Sequence, residues 1–190
     1  MTVSVFVPSP MLDLLRQSGA HTSGHSQRTL MDHLVGTYNI LQSWGAPDHV
    51  CTAGLFHSIY GTNAFHRQSL GFSERPLVQA AIGGQAEHLA WLFCSVERPQ
   101  AFLSAIQHGF LTNRCDASML DCSVEILSEL LEIECANLIE QGGRSSALQQ
   151  IYCEAVSQRD LISAQAYISI KQHLSQAPVR LVNSSTGVLI

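Results

Sequence analysis

A chain of 190 residues, 46% hydrophobic and only 13% Asp, Glu, Lys and Arg, carries enough apolar material for one substantial core and few charges for a solvated surface. Its formal charge of -5 and its single lysine, Lys171, exclude the basic footprint needed to grip a phosphate backbone or an anionic membrane. The apolar excess would also suit a homo-oligomer, in which an interface hides part of it.

In chain order the residues read as helix after helix, because period-two alternation almost vanishes after the first seven positions. The opening MTVSVFVPSP lacks a basic stretch and breaks at Pro8, so it reads as neither a signal peptide nor a membrane span. Ser9-Pro10 starts a short helix that stops at Gly19. Ser26 is the expected cap of a long helix to about Trp44, with Gly45 as its stop. Pro47 opens the next helix, which is expected to run through Tyr60 to Gly61. The short connection makes the two antiparallel neighbours. A loop of about 15 residues, TNAFHRQSLGFSERP, follows, and loops of that length serve either as binding loops or as plain connectors. Further helices are predicted over Pro76–Ile82, Gln85–Val96, Pro99–His108, Ser118–Gln141, Ser145–Ser157 and Asp160–Leu174. The tail APVRLVNSSTGVLI has strand-like pieces with no evident partner. The expected architecture is therefore all-α, a bundle of about seven to nine helices in one domain, with its core over residues 20–160 and a C-terminal helix and tail over 160–190. Six scattered cysteines without a CxxC motif read as reduced core residues, which points to the cytoplasm.

Two histidines stand out. His33 lies 12 residues before Gly45 and His57 lies 12 residues after it, so a helical hairpin hinged there puts them at one level. Helical spacing groups His33 with Leu30, Thr37, Ile40 and Trp44, and His57 with Val50, Ala53, Gly54 and Tyr60. The small Ala53 and Gly54 are expected to leave room between the helices. Singly, such a histidine is more often a hydrogen-bonded core residue than a ligand. As a facing pair they suit a divalent metal, since neutral imidazole is a common ligand and helices hold it rigidly. Two ligands fall short of the three or more of a usual catalytic centre.

Other positions offer candidates. In ILSELLEIECANLIEQ the apolar positions Ile126, Leu127, Leu130, Ile133 and Leu138 define a buried side on which Asn137 also falls. Left unpaired there, a polar group costs about 1–3 kcal/mol, so Asn137 either binds a neighbouring backbone or ligates. Glu134 lies on the flank, either as a half-exposed salt-bridge partner or as a site carboxylate. His25 either reaches the same cleft from its mouth or is a solvated loop residue. His66, in the long loop, is either a substrate contact or a surface histidine. Glu87 and His88 read as an ordinary first helical turn, and His21, His49, His108 and His173 belong to no constellation. No nucleophile elbow, phosphate-cradling glycine loop or zinc-finger spacing occurs.

The run HLVGTYNILQSWGAPDHVCTAGLFHSIY, from His33 to Tyr60, resembles the opening of the HD-domain superfamily, in which a helical His is followed on the next helix by A-x-L-x-H-D. AGLFHS is the point of contact, and ECANLIEQ aligns with the later helix that ends the motif, with Ala136-Asn137 at the terminal ligand. The resemblance covers about 110 residues, from Gln27 to Gln141. It implies a helical metal-dependent phosphohydrolase fold, of which a minority of members are diiron oxygenases. It also implies His33 and His57 as ligands to Fe, Mn or Zn, with Asn137 at the terminal ligand position and Ser58 at the place of the HD aspartate; His25, from the mouth of the cleft, joins the metal candidates, and Glu134 and His66, with Ser58, are the catalytic candidates. Two positions depart from the pattern: the HD aspartate is Ser58 and the terminal aspartate is Asn137, which removes anionic charge from a metal site. The acidic pair of alarmone hydrolases is replaced by Gly61-Thr62. The expected function is hydrolysis of a phosphorylated or other small metabolite. The alternatives are an HD-type non-haem iron oxygenase and a metal-free module that binds a small molecule or a protein.

Overall fold

The computed structural model describes residues 7–19, 24–25, 28–64, 68–142, 146–157 and 161–176. The predicted tail strand pieces and His66 lie outside these residues, as does the side chain of His25.

The polar stretch before the long helix does more than link. Gly24–His25 (β1) pairs antiparallel with Arg28–Thr29 (β2), and α2 (Leu30–Trp44) starts directly afterwards. Its cap is Thr29 rather than Ser26: the Thr29 hydroxyl accepts from the Asp32 amide while the Asp32 carboxylate accepts from the Thr29 amide. This reciprocal box is the stronger start signal because it satisfies two otherwise orphaned donors. The C-terminal end is as expected, with Gly45 left-handed at φ 73°.

α3 (Asp48–Phe56) follows after three residues and is buried from Val50 to Phe56. It is shorter than predicted. His57 is its C-terminal cap, at φ -61° and ψ -12°, and the chain turns through Tyr60. The expected space beside Gly54 is filled instead. A Cβ there would lie 2.3 Å from Leu41 Cδ1, so the missing side chain lets Leu41 of α2 seat against the α3 backbone.

The rest of the chain wraps this pair. α1 (Ser9–Gln17) meets α4 (Arg75–Ile82), and α5 (Gly84–Ser95) lies along α3. α6 (Gln100–His108) leads into a hairpin of β3 (Phe110–Thr112) and β4 (Met119–Asp121), and α7 (Val124–Gln141) packs on α2 and α3. α8 (Ser146–Ser157) and α9 (Ala164–Gln176) pack on α7 and on each other. The hairpin corrects the helix predicted from Ser118. Asp116 accepts from both the amide and the hydroxyl of Ser118 to make the turn, and Ser123 caps α7 through the Ile126 amide.

One apolar cluster, which includes Leu15, Leu41, Phe56, Phe93, Leu130 and Ile170, runs through the described helices. The architecture is all-α, with nine α-helices and two small hairpins among the described residues. Of the six cysteines, Cys51, Cys94 and Cys135 are in the core, whereas Cys122 is half-buried and Cys115 and Cys153 are exposed, so only three follow the core expectation. No described helix is long and apolar enough to cross a membrane.

Candidate functional site

His33 sits in the first turn of α2 and His57 at the end of α3, and the hairpin brings their Nε2 atoms to 3.3 Å with the rings edge to face. Each ring is held from its other nitrogen. His57 Nδ1 lies 2.7 Å from the Gly54 carbonyl, which can only accept, so that nitrogen carries the proton. His33 Nδ1 bonds to the Glu140 carboxylate, with both side chains almost wholly buried. In neutral rings both Nε2 lone pairs then face the same point. Phe93 packs on the His57 ring, and the Cys94 thiol donates to the His57 carbonyl.

Beside the pair is a cavity of about 200 Å³ whose lining includes His33, His57, Ser58, Thr62, Arg98 and Asn137. Four sequence candidates thus meet: His33, His57, Ser58 and Asn137. Glu134 stands behind them. It is 2% exposed rather than half-exposed, because the Arg98 guanidinium and the Asn137 amide both donate to it. Gln141 donates to Asn137 in turn. His25 has its backbone in β1, the strand preceding α2. Among the described residues no group of three or more His, Cys, Asp or Glu side chains is placed to hold a metal ion.

Sequence reasoning missed two residues, Glu140 and Arg98. The signal for Glu140 was present: it follows Asn137 by one turn of α7, and Gly36, one turn after His33, opens the facing helix to it. A Cβ at Gly36 would fall 2.6 Å from Glu140 Cγ.

Glu87, read as an ordinary helix-start acid, is fully buried. It accepts from Tyr60, Gln79 and, in two bonds, Arg75, so it is committed away from the histidines. Burial pushes its carboxyl up, but the bonds from Arg75, Gln79 and Tyr60 outweigh that and hold it below the ordinary 4.5. With the folded value depressed, its stabilisation is present above the unfolded carboxyl value and lost as pH falls through the folded one. The urea midpoint should therefore drop on acidification below about pH 4.5, and drop less in Glu87→Gln. Equal drops in both proteins would assign the acid sensitivity to other groups.

A larger cavity, about 570 Å³, lies elsewhere, beside Trp44 and the start of α7. Its Glu129 and Glu132 already accept from His49 and from the Ser163 amide, so those two carboxylates are engaged in the fold. His49 thus has a partner that the sequence did not suggest. The convergence of ring nitrogens makes the smaller cavity the site.

What the fold and site define is an all-helical protein with a two-histidine centre. Residues 14–98 match the model of a domain of unknown function (DUF6817). That segment takes in His33, His57 and Ser58 and ends at Arg98, before α7 supplies Glu134, Asn137 and Glu140. No curated protein and no solved structure matches the chain.

Proposed function

We propose that this chain is an HD-like metal-dependent enzyme that hydrolyses a small metabolite, with a divalent Fe, Mn or Zn ion held by His33 and His57. The observation that carries the reading is the pair of Nε2 atoms 3.3 Å apart, each ring locked through Nδ1. That separation is what two nitrogens about 2.1 Å from one ion have at a nearly tetrahedral angle. Buried partners behind both rings are the usual way a protein orients metal-binding histidines. When bound, such an ion supplies Lewis acidity to a phosphoryl or carbonyl oxygen. The chain's own residues would do the rest: Arg98 attracts negative charge, Ser58 offers a hydroxyl, and Leu30 adds an apolar edge to the cavity. Six free thiols support a reducing, cytoplasmic setting.

Elemental analysis of protein purified without a histidine tag tests this. Near-stoichiometric Fe, Mn or Zn is expected, falling at least about tenfold in His57→Ala, which loses one of two protein ligands. Metal absent from the wild type, or unchanged by the substitution, would overturn the proposal and leave a metal-free binding module. If the metal is iron, oxygen uptake with candidate metabolites separates an oxygenase from a hydrolase.

A further inference from the structure

Two of the residues that line the 200 Å³ cavity each carry a buried donor with no hydrogen-bond partner, Ser58 Oγ and Arg98 Nε. Ser58 is 4% exposed and the Arg98 side chain 6%. A buried donor left unmade costs more than an ordinary hydrogen bond returns, so orphaned donors in one cavity mark where a ligand's acceptors belong.

Arg98 is built to stay in place. Its guanidinium carbon lies 4.1 Å over the Phe93 ring, Glu134 accepts from one terminal nitrogen, and Asn63 donates to its backbone carbonyl. Phe93 also packs on His57, so the guanidinium and the histidine pair share one support. The rigid fork leaves Nε–H for something else, and a guanidinium edge suits an oxyanion better than a neutral carbonyl.

We infer that Arg98 and Ser58 form the anion-reading wall of this site, and that the group it reads is a compact oxyanion, a phosphate monoester or a carboxylate. The size agrees with a small head group: the cavity, about 200 Å³, is below the ~300–1,000 Å³ of ordinary ligand pockets. An oxyanion with a few carbons fits inside it, and any larger part of the ligand would extend beyond its mouth. The inference rests on the metal reading through charge. Arg98 offsets Glu134, and Glu140 faces His33, so an anion entering among the described groups needs further positive charge, which the divalent ion supplies.

The test is calorimetric titration of tag-free protein, as purified, with inorganic phosphate and separately with malonate. Saturable binding of at least one is expected. Phosphate alone assigns a phosphate ester, and malonate alone assigns a carboxylate. Ser58→Ala should weaken binding roughly 3- to 10-fold, and Arg98→Lys, which keeps the charge but loses Nε, roughly 10- to 100-fold. Metal content should not change in either variant. Should Arg98→Lys fail to fold, Ser58→Ala removes only an unbonded hydroxyl and carries the test. No saturable binding of either anion to metal-loaded protein would overturn the inference and spare the metal reading, as would binding that both substitutions leave unchanged. Binding that depends on both residues in protein devoid of metal would support the inference and overturn the metal reading.

Discussion

Glu134→Gln is expected to cost the fold about 3–5 kcal/mol, because it leaves the Arg98 guanidinium buried without its counter-charge. Both side chains are almost wholly buried, so solvent cannot take over the missing role. Arg98→Met should cost about as much for the opposite reason, leaving the Glu134 carboxylate with only the longer bond from Asn137 at 3.3 Å. The pair is nonetheless poor value as a source of stability, since its desolvation offsets most of its attraction. The double variant Glu134→Leu with Arg98→Met should therefore lose far less than the sum of the two single changes. Urea midpoints for the wild type, both singles and the double give the answer. Additive losses, or single losses under about 1 kcal/mol, would place the pair in an environment wet enough to screen it. A strongly non-additive result would instead point to a pair kept for the site: a fixed guanidinium beside the histidines, at little net benefit to folding.

The second large effect concerns Glu140. Glu140→Ala should weaken metal binding about 10- to 100-fold, the usual consequence of losing the group that orients a ligating histidine. Glu140→Gln should fall between, since the amide oxygen still accepts from His33 Nδ1 but carries no charge. Gly36→Ala tests the same contact from the facing helix, because its Cβ would sit 2.6 Å from Glu140 Cγ and push the carboxylate away from the ring. Metal affinity should drop, and the melting temperature of the metal-free protein should fall too, since alanine's helix preference of about 0.8–1 kcal/mol does not make up for a buried carboxylate moved off its partner. Competition titration against a chelator and thermal melting check both halves. Unchanged affinity in Glu140→Ala would mean that the His33 ring is held without it.

These positions differ in how far they could be read beforehand. The meeting of His33 and His57 follows from a short connection and equal counting from Gly45, both local properties of the chain, and the structure adds the Nε2 separation and the fixed tautomers. Asn137 was visible as a polar residue on an apolar stripe. Glu140 and Glu134 sit on the same helix, but their roles depend on side chains 107 and 36 residues away in sequence. Nothing in a helical pattern tells a buried, paired carboxylate from a solvated one. Arg98 gave no signal, since its value comes from Phe93, Glu134 and the cavity rather than from its neighbours. The β3–β4 hairpin was hidden because strands of three residues are too short for alternation to show, while the helical pattern after Ser123 extended backwards over it.

Local chemistry in the chain was enough to specify its helices, most of their ends and the level at which two histidines face each other, because hydrogen-bonded turns, caps and apolar spacing act over a few residues. Which charges are buried, which partner lies behind each ring and which donors remain for a ligand were decided only when α7 and α5 closed on the α2–α3 pair. Those are pairings between distant segments, and their energies depend on a desolvation that exists only in the packed protein.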